Sequence, residues 1–103
     1  MAKEKITFYR DDDLTLPQQY LLLEGIQATY WQLVNLFGEP QHIKSDRARV
    51  QWPVAFSDGE GVFIYDWNED VKVEEVKQWN VGGNNKMIAY RIQDIIDGKP
   101  FEY

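Results

Sequence analysis

The sequence predicts an α+β fold: one small domain spanning residues 1–103, with an antiparallel sheet of four to five strands and two helices packed on one face. Three observations predict it. Residues 47–56 alternate, with Ala48, Val50, Trp52, Val54 and Phe56 on one side and Arg47, Arg49, Gln51, Pro53 and Ala55 on the other. A period of two over that length is a half-buried strand. Two other segments carry helical spacing with start and stop residues. The order of elements is strand, strand, helix, strand hairpin, strand, helix, which pairs neighbouring strands antiparallel.

Taken in order, residues 5–9 are β-branched and aromatic and read as a first strand, broken by Asp11-Asp12-Asp13. That acidic run reads as a solvated turn. Pro17 disfavours helix in the residue before it. The leucine-rich stretch from Tyr20 to Ile26 fits either period, and Gly25 favours a strand. Thr29 is an N-cap for a helix over residues 30–37, with Tyr30, Leu33, Val34 and Phe37 on one face. Gly38 stops it and Pro40 prevents continuation.

The strand at 47–56 contains Pro53, which lacks a backbone donor and so belongs on an edge or at a bulge. Ser57-Asp58-Gly59-Glu60-Gly61 is turn chemistry, and Val62 to Trp67 returns as the second strand of a hairpin. On it, Val62, Ile64 and Asp66 share one face and Phe63, Tyr65 and Trp67 the other. Gln78-Trp79-Asn80-Val81 reads as a short strand ending at Gly82-Gly83. Asn84 or Asn85 caps a last helix running to about Ile96, with Ile88, Ile92, Ile95 and Ile96 buried and Gly98 and Pro100 ending it. The ends, 1–4 and 98–103, are expected to be flexible.

Composition bounds the function. A chain of 103 residues has room for one modest core, burying roughly two thirds of its unfolded surface. The absence of cysteine excludes disulfides and thiolate metal sites. Apolar runs are far shorter than the ~20 residues that span a bilayer. No secretory signal is visible behind Met1-Ala2-Lys3-Glu4-Lys5, so a cytoplasmic setting is expected. Eleven basic residues oppose seventeen acidic ones, for a net charge of −6. That field repels duplex nucleic acid unless a local basic patch exists. It serves solubility, or it suits an acidic decoy for a nucleic-acid groove on another protein.

The catalytic inventory is thin. The one histidine, His42, sits in a polar loop, and no nucleophile elbow surrounds Ser45 or Ser57. A non-catalytic protein without a cofactor is therefore expected. Three groups are candidates for binding. Gly82 and Gly83, leading into a helix start with Asn84, Asn85 and Lys86, form a bend whose free amides suit a phosphate or a partner's carboxylate. The same residues read more readily as a tight strand-to-helix turn with an asparagine cap. Tyr65 and Trp67, with Trp79, offer rings for stacking a base or a peptide side chain, or serve as core. Lys44, Arg47 and Arg49 make a basic stripe that either protects a strand edge or meets an anion.

Phe37-Gly38-Glu39-Pro40, the strand through Trp52 and Phe56, Asp58-Gly59, Ile64-Tyr65-Asp66-Trp67, and Trp79-Asn80-Val81-Gly82-Gly83 before a helix together resemble a family of small accessory proteins encoded by tailed bacteriophages. The resemblance covers roughly residues 20–96 and transfers no catalytic residues. It implies a viral origin, the cytoplasm of an infected bacterium, and a role outside the virion. Small phage proteins of this kind often antagonise host defence. Two versions follow, and the sequence leaves both open. In one, the chain captures a small nucleotide signal, such as a cyclic one, with Gly82, Gly83, Asn84, Asn85 and Lys86 on phosphate, Tyr65, Trp67 or Trp79 on the base, and Arg47 or Arg49 closing the site, in one arrangement across a homodimer. In the other, it docks on a defence protein such as a CRISPR-associated nuclease. A host-takeover or assembly adaptor, and a carboxylate-dependent hydrolase, are the alternatives. No membrane partner is expected.

Overall fold

The computed structural model describes residues 6–15, 21–22, 25–44, 47–67, 69–83, 85 and 87–99. Among these, seven strands form one curled antiparallel sheet: β1 (Phe8–Arg10), β2 (Leu21–Leu22), β3 (Ile26–Gln27), β4 (Gln41–His42), β5 (Val50–Phe56), β6 (Gly61–Tyr65) and β7 (Gln78–Gly83). Helix α1 (Tyr30–Phe37) follows β3, and α2 (Met87–Ile96) follows β7; a 3-10 turn occupies Val73–Glu75. The strand path is β1-β5-β6-β7-β2, with β4 also on β5 and β3 also on β7. This is the expected α+β architecture.

The core-facing half of the alternating row is buried as its period dictates, but Pro53 and Ala55 on the other side are buried as well, so β5 is covered on both faces there rather than half-buried. Val50, Trp52, Val54 and Phe56 are buried, and register puts Val62 and Ile64 of β6 beside Val54 and Trp52 on the same face. Val81 of β7 lies opposite Ile64 and extends that face. Leu33 and Phe37 from α1, and Ile88 and Ile92 from α2, pack into this one cluster. Each such side chain contributes roughly 1.5–3 kcal/mol of burial. Ile96 is only half-buried, and α2 buries Arg91 instead, ion-paired to Asp58 at 2.9 Å.

An eight-residue helix is too short to persist alone. In α1 each end is therefore held from outside. Thr29 and Gln32 form a reciprocal capping box, with the Gln32 amide donating to Thr29 Oγ1 at 3.1 Å and the Thr29 amide donating to Gln32 Oε1 at 2.8 Å. At the other end Arg10 Nη1 donates to the carbonyls of Phe37 (3.1 Å) and Glu39, placing positive charge where the helix dipole is negative. Two buried indoles complete the arrangement. Trp79 Nε1 donates to the Ala28 carbonyl at 2.9 Å, just before the helix. Trp52 Nε1 donates to the Gly38 carbonyl at 2.8 Å, just after it. The two rings meet edge to face at 5.1 Å, and Tyr30 meets Trp52 at 5.8 Å.

Pro53 is neither at a free edge nor at a bulge. It lies inside β5, opposite Phe63 of β6. On its other side β1 reaches only to Val54 and β4 only to Gln51. The Pro53 carbonyl accepts from the Asp11 amide at 3.2 Å, so its nitrogen faces this same seam. The missing donor leaves the Asp11 carbonyl to accept from Leu14 at 3.0 Å, which starts the acidic turn. In that turn the Asp13 amide donates to Asp11 Oδ1, and Asp12 meets Arg10 at 2.8 Å, so the run is an Asx turn as its composition predicts.

Several boundaries differ from the sequence reading. The strand expected over 47–56 begins at Val50, and the return strand expected over 62–67 is Gly61–Tyr65. The first strand is Phe8–Arg10, and residues 1–5 and 100–103 lie outside the described ones. The expected strand at 20–26 is two pieces. Leu22 faces Gly82 and Ile26 faces Trp79, so the edge slips by one residue along β7, as at a β-bulge. The Gln93 side chain then takes both backbone groups of Gln27, at 2.9 and 3.1 Å, closing that edge. His42 lies in β4 rather than in a loop, because a two-residue strand leaves no periodic trace. Strand β7 runs through both glycines.

Gly38 holds φ +83 with Arg10 Nη1 3.3 Å from where a Cβ would sit. Gly38→Ala is expected to lower stability by about 1–2 kcal/mol in urea denaturation. Burial, and then the carboxylates Glu39 and Glu74, raise the Tyr30 phenol above its ordinary value of 10.0. The unfolded chain therefore loses this proton first, and the associated stability is full below pH 10.0 and is lost as pH rises from there through the folded value. Tyr30→Phe is expected to flatten that alkaline loss in pH-dependent urea titrations.

Candidate binding surface

The twin-glycine bend does not exist as expected. Gly82 pairs with Phe63 of β6 and Leu22 of β2, and Gly83 with Val62 and Leu21. Both are buried, and positive φ occurs instead at Gly38, Gly59 and Gly98. With strands on both sides, the amides of Gly82 and Gly83 face protein carbonyls rather than a guest. Asn85 caps α2 itself: its Oδ1 accepts from Met87 and its carbonyl from Ile88, each at 3.0 Å. Asn84 and Lys86 lie outside the described residues. Gly-Gly-Asn is compatible with a bend and with a strand end, and pairing on both flanks decided for the strand.

Trp79 is not a stacking platform either. It is 1% exposed and bound to Trp52 and Ala28. Arg49 is not an open cation. Its Nε meets Asp66 Oδ2 at 2.7 Å and its Nη1 donates to the Val71 carbonyl at 2.8 Å. Asp66 is fully buried, and its Oδ1 also accepts from the Arg49 and Val50 amides at 2.8 and 3.0 Å. A carboxylate buried without donors would be costly, and three donors offset that cost here. The consequence is mechanical. Asp66 ties the start of β5 to the end of β6, and Arg49 ties the same point to the loop at Val71.

Asp66 was missed as a keystone, although the signal was present. A carboxylate in the row Val62, Ile64, Asp66 has to find donors or leave the row. The alternation that placed it there predicts the rest.

Three of the candidate residues do come together. Tyr65 and Trp67 meet edge to face at 6.1 Å, and the Arg47 guanidinium lies 5.9 Å from the Trp67 ring centre. Tyr65 is half-buried, whereas Trp67 is 46% exposed. They lie on the face of the sheet away from the helices. At the other end of that face Leu14 lies against Gly61. Beyond Trp67 the loop exposes Val71 together with Glu69, Asp70, Lys72, Glu74 and Glu75. Lys44 is exposed as well.

Elsewhere, a shallow open groove of about 480 Å³ is lined by Gln27, Ala28, Thr29, Gln32, Lys77 and Gln78, none of them a candidate from sequence. Among the described residues no group of three or more His, Asp or Glu is placed to hold a metal, and no helix is long and apolar enough to cross a membrane.

Asp66→Asn puts donors against donors and is expected to cost about 2–3 kcal/mol, read from urea denaturation. Trp67→Ala, in contrast, is expected to change stability by less than about 0.5 kcal/mol in the same assay. Comparison with protein-family models, with curated proteins and with solved structures finds no match to this chain.

Proposed function

We propose that this chain is a non-catalytic binding protein of phage origin that counters a bacterial defence system by docking on an effector protein, such as a CRISPR-associated nuclease, in the cytoplasm of the infected host. The observation that carries the reading is the exposed Trp67 set between Tyr65 and Arg47. Trp, Tyr and Arg are the residue types that carry most binding energy at protein interfaces. Trp67 leaves nearly half of its surface to solvent, and an indole held there supplies a rigid anchor for a partner. The resemblance to tailed-phage accessory proteins supports the viral origin. The nucleotide-capture version loses its phosphate cradle, because both glycines are strand residues. Docking on a protein needs no such cradle.

The reading is tested with purified chain added to a panel of purified defence nucleases in cleavage assays. One of them is expected to be inhibited near stoichiometry. Trp67→Ala is expected to raise the half-inhibitory concentration about tenfold or more, with an unchanged melting curve. Deleting the gene from its phage is expected to reduce plating only on hosts carrying that defence. Equal plating of the deletant on defended and undefended hosts, with no nuclease inhibited, contradicts the reading.

A further inference from the structure

We infer that Arg49 is a positioning residue for Trp67: its guanidinium clasps the segment 66–71 at both ends and holds the exposed indole in place before a partner arrives. The inference rests on the docking reading above and names what prepares that surface.

Strand β6 ends at Tyr65, so Trp67 stands beyond the last ladder bond of the sheet. Neither strand nor helix includes the described residues of 66–71. Among the described residues, the backbone of 67–71 makes one hydrogen bond, which its Val71 carbonyl accepts from Arg49 Nη1 at 2.8 Å. A segment with so few backbone bonds and with exposed apolar side chains belongs to the low-stability end of a fold unless something else holds it. Trp67 and Val71, 46% and 42% exposed, are those side chains.

Arg49 supplies the hold. Its Nε meets Asp66 Oδ2 at 2.7 Å, at the start of the segment, while Nη1 reaches Val71 at its end. Asp66 is itself fixed, being fully buried with Oδ1 accepting from the Arg49 and Val50 amides at 2.8 and 3.0 Å. One planar group therefore joins an immobile point of the sheet to the far end of the loop. The use of the fork matters. A guanidinium often spends two donors on one carboxylate. Here one donor serves the carboxylate and a second goes to the loop. A lysine has a point charge for Asp66 and no second donor set at a fixed angle to the first. Arginine at this position thus does more than neutralise Asp66. An indole ordered before contact avoids the ordering cost of association, so the clasp raises affinity without adding a contact.

The test compares Arg49→Lys with the natural chain, both full-length and ¹⁵N-labelled. Lysine keeps the charge beside Asp66 and loses the second hook, so the melting temperature is expected to fall by less than about 5 °C. Order parameters at the Glu69 and Asp70 amides and the Trp67 indole N–H are expected to fall from about 0.85 towards about 0.6, with β5 and β6 unchanged. Arg49→Gln, whose side chain is too short to reach Val71, is expected to give the same local loss, and serves if the lysine variant does not fold. Unchanged order at Trp67 in a folded variant overturns the inference. Against a nuclease that the natural chain inhibits, Arg49→Lys is expected to raise the half-inhibitory concentration about fivefold. Added to Trp67→Ala it is expected to cost less than twofold more, because the residue it positions is gone. Full additivity would mean that Arg49 meets the partner directly, and that also overturns the inference. The docking reading fails separately: if no nuclease is inhibited, that reading falls, while the order parameters alone decide whether Arg49 holds the indole.

Discussion

The fold depends on two indole hydrogen bonds. Trp52 and Trp79 sit on β5 and β7, and their Nε1 groups reach carbonyls on either side of α1, at Gly38 and Ala28. A helix of eight residues has little stability of its own. Fixed at both ends by rigid buried rings, it becomes the lid of the core. The two rings touch each other and Trp52 touches Tyr30, so the helix start and the centre of the sheet form one packed unit. Buried indoles need acceptors, and the carbonyls of the two residues that flank the helix, Ala28 and Gly38, supply them.

That arrangement divides the molecule into two faces with different work. The helix side takes Val54, Phe56, Val62, Ile64 and Val81, with the isoleucines of α2 above them. Asp66 continues the same row, where its carboxylate holds the entry of β5 and, through Arg49, the loop at Val71. Alternation then turns Trp67 to the other side, into solvent. A buried polar latch and an exposed aromatic are thus consecutive residues of one strand end. The stability of the first fixes the position of the second, which is how a core interaction and a binding surface become coupled in so small a chain.

Much of the fold was legible because its signals are local. Thr29 and Gly38 bound α1 as their chemistry dictates, and the row from Ala48 to Phe56 is buried as its period requires. The parts that were not legible depend on partners distant in sequence. Pro53 is tolerated inside β5 only because β1 and β4 leave a seam beside it. Gly82 and Gly83 lie in a strand only because β2 and β6 flank them. Of the candidate site, Tyr65, Trp67 and Arg47 converge, while Trp79 goes to the core and Arg49 to Asp66. Composition marked all five as capable of binding, but burial assigned Trp79, and the ion pair with Asp66 assigned Arg49, to holding the structure.

The most direct measurement of this account is hydrogen exchange of the four indole N–H groups by NMR. Trp52 and Trp79 are hydrogen-bonded in the core, and Trp31 and Trp67 are exposed. The account predicts two indoles that exchange only through global unfolding and two that exchange within the dead time. Rapid exchange at Trp52 or Trp79 would mean that α1 is not held by their rings, and protection at Trp67 would mean that the proposed docking surface is closed in the free protein.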